Sequence, residues 1–199
     1  RLVSKINNWP LIQRNKLLEN WLSFNLDEYI GLDPFDAKSF SFFMQRNLGV
    51  PLGLNAEKLR VPNGIKKDPY IEASNYLRDL KFSGGIGIQL LGLGTNGHIG
   101  FNEPPTSADS ICRVVSLSQR TKRQNAFDFD NKLDNVPNFA ITLGIADILE
   151  SAEIHLIVTG KLKAEIFKEF LSSKINDQLP ASFLRLHSNT YIWADADAS

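Results

Sequence analysis

Between Leu91 and Pro104 the chain reads Leu-Gly-Leu-Gly-Thr-Asn-Gly-His-Ile-Gly-Phe-Asn-Glu-Pro, which sets His98 among four glycines with a carboxylate, Glu103, five residues onward. The glycines allow sharp turns and a close backbone approach to a ligand. A histidine carries a proton near neutral pH, and a neighbouring carboxylate fixes its tautomer and raises its basicity. The chemistry such a set could do is general acid–base catalysis. On spacing alone, a glycine-rich turn around a structural histidine fits equally well. The third glycine of a dinucleotide fingerprint is missing from its place, which argues against a nicotinamide cofactor.

Three further groups could join it. Asp27-Glu28 ends an apolar–polar alternation, and adjacent acids on an extended chain point in opposite directions, so one faces a pocket. A solvated turn or a helix cap is the competing reading. Gly160-Lys161-Leu162-Lys163 lies where a strand enters a helix, and helix-start amides with a lysine suit a phosphate. Arg120-Thr121-Lys122-Arg123 could touch phosphate but reads more simply as an exposed helix start. His155 reads as a packed or edge residue of a strand, and His187 as either structural or pocket-lining. Three histidines and one cysteine, Cys112, give no metal-ligand spacing and no disulfide framework.

These groups must be positioned by elements. Leu22, Phe24 and Leu26 alternate with polar residues, predicting a strand that ends at Asp27-Glu28-Tyr29. Helices are expected over 37–48, 70–80 and 163–171, with a short one inside 139–149 and an irregular stretch over 50–68. Ile86–Leu91 and Ile154–Val158 read as buried strands, and 113–117 and 191–193 as shorter ones. Strands alternating with helices predict a Rossmann-like α/β fold, a mainly parallel sheet with helices on both faces. No repeat or linker divides residues 1–199, so they read as one domain. Sites in such folds gather beyond the carboxyl ends of strands, which groups Asp27-Glu28, Gly92–His98 and Thr159-Gly160.

The bulk composition agrees with an ordinary globular protein. Twenty-two Lys and Arg balance 22 Asp and Glu, so no strong field draws nucleic acid or an anionic membrane, and any anion must be bound locally. No apolar run approaches the roughly 20 residues needed to span a bilayer, and no signal peptide is visible. The cytoplasm is the simplest compartment.

The run from Gly92 to Pro104 resembles the signature of the glucosamine-6-phosphate deaminase/isomerase family. Phe24–Tyr29, Val136–Gly144, Thr159-Gly160 with Lys163-Ala164, and Pro180-Ala181-Ser182 with Leu186-His187 match in the same order. The stretches Pro51–Leu54 and Ala181–Asn189 resemble the galactosamine-6-phosphate isomerase/deaminase branch more closely. The resemblance implies isomerisation and deamination of a 2-amino-2-deoxyhexose 6-phosphate, with no metal or organic cofactor. It gives galactosamine 6-phosphate to tagatose 6-phosphate as the main expectation and glucosamine 6-phosphate to fructose 6-phosphate as the alternative. It makes Asp27 the base moving a proton between carbons 2 and 1, His98 the ring-opening group, and Glu103 the acid that orients it. Asn96 joins them as the histidine's partner, where some members carry aspartate. Substrate contacts are expected from Glu28, Gly94, Lys122 and Lys163. Lys122 stands where many members use arginine on the phosphate, giving up bidentate geometry for a point charge.

Family members begin with a strand and a phosphate loop that precede the first residue of this chain, so the resemblance implies an N-terminal truncation. Val115 replaces a lysine beside Arg113 at the position of an allosteric site found in some members, so regulation there is not expected. The expected partner is a small amino-sugar phosphate, and homo-oligomerisation stays open. Two rivals share the fold. A 6-phosphogluconolactonase would follow its histidine with Thr-Ala-Ser-Leu-Phe-Pro and would leave Asp27 unexplained. A sugar-phosphate-binding regulator would bring a helix-turn-helix segment, which is not seen.

Overall fold

The computed structural model describes residues 2–199. In chain order the elements are α1 (Leu2–Asn7), α2 (Leu11–Glu19), β1 (Ser23–Phe24), β2 (Asp27–Tyr29), α3 (Phe40–Met44), α4 (Val50–Leu52), β3 (Leu59–Arg60), α5 (Pro69–Phe82), β4 (Ile88–Gly92) and β5 (Arg113–Ser116). They continue with α6 (Gln119–Asn125), β6 (Phe139–Thr142), α7 (Ile145–Leu149), β7 (Glu153–Val158), α8 (Ala164–Ser172) and β8 (Thr190–Ala194). The fold is α/β, with parallel strands interleaved with helices, as the alternation predicts. Among the described residues no helix is long and apolar enough to cross a membrane.

The chain forms two units. The first comprises the stretch ending at Pro69 together with Ser116–Ala140, and the second comprises Tyr70–Val115 and Ile141–Ser199. In the first, β1 and β3 pair in parallel through Ser23–Leu59 and Phe24–Arg60. The apolar spacing of α1 and α2 turns Ile6, Leu17 and Leu18 toward Leu52, Leu54 and Leu59, with Trp21, Met44 and Leu48 around them. Two expectations change here. The strand expected from Leu22 to Tyr29 breaks into β1 and β2. The helix expected to stop at Leu48 runs on through a π-helical turn, Gln45–Gly49, into α4, and ends where Gly53 turns left-handed (φ 70°). Pro51 stands just past the π-helical turn, at the start of α4.

In the second unit β4, β7 and β8 form a parallel sheet in that order, in register from Ile88–Glu153 to Gly92–Ile157 and from Ile154–Thr190 to Val158–Ala194. Leu91, Ile154, Leu156 and Val158 are buried, as are Ile166, Phe167 and Phe170 of α8. Ile86–Leu91 reads as a fully buried strand, yet only alternate residues of β4 are buried. Ile88, Leu90, Ile157, Tyr191 and Trp193 are exposed, and the His155 ring stacks on Tyr191 and Trp193 with centroids 5.0 and 6.0 Å away. Trp193 Nε1 donates to His155 Nδ1 at 3.0 Å, so this histidine is a strand-packing residue. His187 Nε2 lies 2.8 Å from the Ser151 carbonyl, which gives it a structural contact too. The short helix expected inside 139–149 is α7, and it is preceded by β6, a strand whose last residues are wholly buried.

Candidate functional site

The expected residues fall into two groups, Asp27, Glu28 and Lys122 in the first unit and Gly94, Asn96, His98, Glu103 and Lys163 in the second.

In the first unit Ile30, just after β2, donates its N–H to the Phe139 carbonyl at 3.0 Å. The alternation of a strand sends Asp27 and Glu28 to opposite faces, and their surroundings differ accordingly. Glu28 is 1% exposed. Its Oε1 accepts from the backbone N–H of Tyr29 (2.9 Å) and Phe40 (3.1 Å), and its Oε2 from Ser41 (2.9 Å). Ser39 Oγ accepts from Phe42 N–H at 3.0 Å, so these two side chains satisfy three donors that the start of α3 leaves open. Glu28, expected as a substrate contact, caps α3 from a buried position. Both of its oxygens are already occupied.

Asp27 has the opposite character. Its carboxylate is half-buried, and no side-chain or backbone donor reaches it among the described residues. Burial, with the Glu28 charge second, pushes its pKa up to about 7. A carboxylate that titrates near neutrality with unoccupied lone pairs is suited to accept and return a proton. On the next residue, the Tyr29 hydroxyl accepts from Asn125 Nδ2 at 2.8 Å, and the ring packs on Phe40 and edge-on to Phe129. The basic run was expected to be an exposed helix start, but α6 buries Lys122 to 7% exposure while Arg123 stays exposed. Lys122 Nζ donates to Asn138 Oδ1 at 2.8 Å.

In the second unit the glycine-rich run closes on itself. Gly94 N–H donates to the His98 carbonyl at 2.9 Å, and Gly97 N–H to the Gly94 carbonyl at 3.0 Å. The His98 ring lies directly over Gly94, where an added Cβ would come within 2.3 Å of ring atoms. Gly97 combines φ +80° with a Leu179 methyl 2.1 Å from where its Cβ would be. Asn96 Oδ1 lies 2.5 Å from His98 Nδ1 and also accepts from the His98 backbone N–H at 3.4 Å. Because Oδ1 can only accept, the neutral ring carries its proton on Nδ1 and presents Nε2 as the basic nitrogen. Gly94→Ala is therefore expected to drive the ring off Asn96, read as a changed His98 titration by NMR. An unchanged titration would mean that the ring does not depend on this space.

Glu103 is half-buried, and its carbonyl accepts from the Thr106 hydroxyl. Asn102, beside it, is fully buried and donates to the carbonyls of Ile99 (3.1 Å) and Leu143 (2.8 Å) while accepting from Arg113 Nη1 (2.9 Å). Sequence reasoning gave Asn102 no role, although its place between two motif residues was visible. Lys163 is half-buried, which lowers its pKa, and it has no hydrogen-bond acceptor among the described residues. The Gly160 amide, expected to face an anion, is taken by the Asp195 carboxylate at 3.0 Å. Among the described residues no three His, Cys, Asp or Glu side chains gather as a metal site.

The family described as glucosamine-6-phosphate isomerases/6-phosphogluconolactonase matches residues 18–193. A glucosamine-6-phosphate deaminase of Oceanobacillus iheyensis is 44% identical over 179 residues, covering 90% of this chain and 71% of that protein. One from Shouchella clausii is 42% identical, covering 89% and 71%. The structure of a monomeric glucosamine-6-phosphate deaminase superposes with a TM-score of 0.91 at 38% identity, covering 99% of this chain and 81% of that one. A 6-phosphogluconolactonase from Trypanosoma brucei reaches 0.74 at 17% identity over 98% and 79%, a likeness of fold.

Proposed function

We propose that this chain, which belongs to the family of glucosamine-6-phosphate isomerases and 6-phosphogluconolactonases, converts glucosamine 6-phosphate and water to fructose 6-phosphate and ammonia. The observation that carries the reading is Asp27, a half-buried carboxylate that no donor reaches among the described residues and whose pKa burial pushes up to about 7. The relatives at 44% and 42% identity, both glucosamine-6-phosphate deaminases, favour the gluco substrate over the galacto substrate suggested by Pro51–Leu54 and Ala181–Asn189.

The residues divide the work as follows. His98, with Nε2 basic, takes the anomeric hydroxyl proton and gives it to the ring oxygen as its bond to carbon 1 breaks, since only the open-chain aldehyde has an acidic hydrogen on carbon 2. Glu103 supports the charge of that imidazole, and Asn96 fixes its tautomer. Asp27 removes the carbon 2 proton and returns it to carbon 1, while one proton leaves the amine nitrogen and one is gained by the carbon 1 oxygen, so that the amine becomes an imine and the aldehyde a hydroxyl. Water adds to the imine carbon and ammonia leaves, giving the ketose. Lys122 and Lys163 are the cations assigned to the phosphate, and Gly94 lets the backbone come close to the sugar. A lactonase reaction needs no base at carbon 2 and leaves Asp27 idle.

The test is ammonia release from glucosamine 6-phosphate and, separately, from galactosamine 6-phosphate. Faster release from the gluco sugar is expected. Faster release from the galacto sugar would keep the mechanism and change the substrate. Hydrolysis of 6-phosphogluconolactone with no ammonia from either sugar would overturn the reading.

A further inference from the structure

The span from His98 to Glu103 is tied to its surroundings by one wholly buried side chain, Asn102. Its Nδ2 donates to the Ile99 carbonyl at 3.1 Å, inside the span, and to the Leu143 carbonyl at 2.8 Å, just past β6. Its Oδ1 accepts from Nη1 of Arg113, the first residue of β5, at 2.9 Å. An inverted amide would set N–H against N–H and oxygen against oxygen, so these three partners fix its orientation. The Asn102 backbone N–H donates to the same Ile99 carbonyl at 3.1 Å, and Phe101 N–H reaches the Thr142 hydroxyl at 3.4 Å. All of these residues belong to the second unit.

Both Nδ2 hydrogens are spent on the protein, so the side chain has no donor to offer a ligand. A buried amide bonded in this way resists movement more than an apolar group of its size, because any shift strands a polar group away from water. What it holds is the residue that follows. Glu103 stands between this anchored position and Pro104, whose ring restricts the backbone of the residue before it. His98 is fixed separately, by the Gly94 amide on its carbonyl and by Asn96 on its ring. The relation of carboxylate to imidazole then depends on the shape of the four residues between them, where a displacement of about 1 Å is worth a large factor in rate.

We propose that Asn102 is a positioning residue that holds the Glu103 carboxylate in place for the His98 imidazole, through its bonds to Leu143 and Arg113. This rests on the roles given to His98 and Glu103 above and adds a residue to them.

The experiment uses Asn102→Leu, Asn102→Ser, Glu103→Gln and the double variant Asn102→Ser/Glu103→Gln in the full chain. The readouts are the His98 titration by NMR and steady-state kinetics with glucosamine 6-phosphate. Neither Asn102 substitution changes a charge, so a side chain that only supports the fold leaves the His98 titration of the folded protein where it is. Glu103→Gln is expected to lower the His98 pKa by removing a neighbouring negative charge. Asn102→Leu is expected to move it in the same direction, with kcat down about ten- to a hundredfold and KM changed less than about twofold. Asn102→Ser, whose hydroxyl can keep one carbonyl bonded, gives a smaller shift of the same sign and carries the test if the leucine variant does not fold. The double variant shows the shift of Glu103→Gln and no more, because the asparagine acts only through the glutamate. An unmoved His98 titration in the folded Asn102 variants beside a shift in Glu103→Gln, or summed shifts in the double variant, would overturn the positioning role alone. No shift in Glu103→Gln would overturn it together with the role given to Glu103. Coupled shifts in a chain that releases no ammonia would support the positioning role and remove only the proposed reaction.

Discussion

Asp27→Asn in the full-length protein is expected to abolish exchange of the carbon 2 proton and to lower turnover at least a hundred- to ten-thousand-fold, the usual worth of a positioned acid or base. Binding of the sugar phosphate survives. The amide keeps the volume of the side chain and removes its basic oxygen. The wild-type pH profile carries the same signature. Burial and the Glu28 charge hold Asp27 near 7, well above its ordinary 3.8, so a large share of the base is still protonated at neutral pH. Activity should rise with pH through an ascending limb near 7. Stability runs the other way. A carboxyl whose folded pKa lies above its unfolded value binds its proton more tightly when folded, so the penalty for its charge is full above 7 and relieved toward 4. Asp27→Asn should therefore raise stability by about 1–3 kcal/mol at pH 8, an advantage lost by pH 4. Retained proton exchange in the variant, or a limb that stays near pH 4, would remove Asp27 as the base.

The fold class was legible in the sequence, and so was the local geometry of the glycine-rich run. The Gly92–Pro104 run could be read because its glycines are demanded by geometry: a side chain at Gly94 would overlap the His98 ring. Regular elements with clean periodicity, α5 and β7, were also readable. What failed were positions decided by tertiary contacts. Glu28 and Asp27 are adjacent acids with the same propensity, yet one meets three backbone N–H groups and the other none. Lys122 sits in a basic run whose composition suggests solvent, but α6 turns it inward. Asn138, between a proline and a strand, carried no local signal, because its partner lies 16 residues back on another element. Ile88 and Leu90 misled in the opposite sense, since an apolar run reads as buried whether or not both faces are covered.

Glu28→Ala is the substitution with the largest expected effect on stability, and it also bears on catalysis. Burial raises the Glu28 pKa even though the Ser41, Phe40 and Tyr29 amides pull it down, so the charge gains little from being inside. Its removal is costly for another reason: it leaves three backbone N–H groups at the β2–α3 junction without an acceptor. At about 1–3 kcal/mol for each buried donor, partly relieved by water, a loss of about 3–4 kcal/mol is expected in denaturant unfolding. Glu28→Gln keeps an oxygen for Tyr29 and Phe40 but turns an amide N–H toward that of Ser41, so it should cost about 1–3 kcal/mol. The same variant separates the two roles of this side chain. Glu28 is the second cause of the raised Asp27 pKa, so removing its charge while keeping its volume should move the ascending limb of the pH profile to lower pH. A stability loss with an unmoved limb would show that Glu28 acts on the fold alone. A limb that moves down would mean that the residue capping α3 also sets the proton affinity of the base beside it.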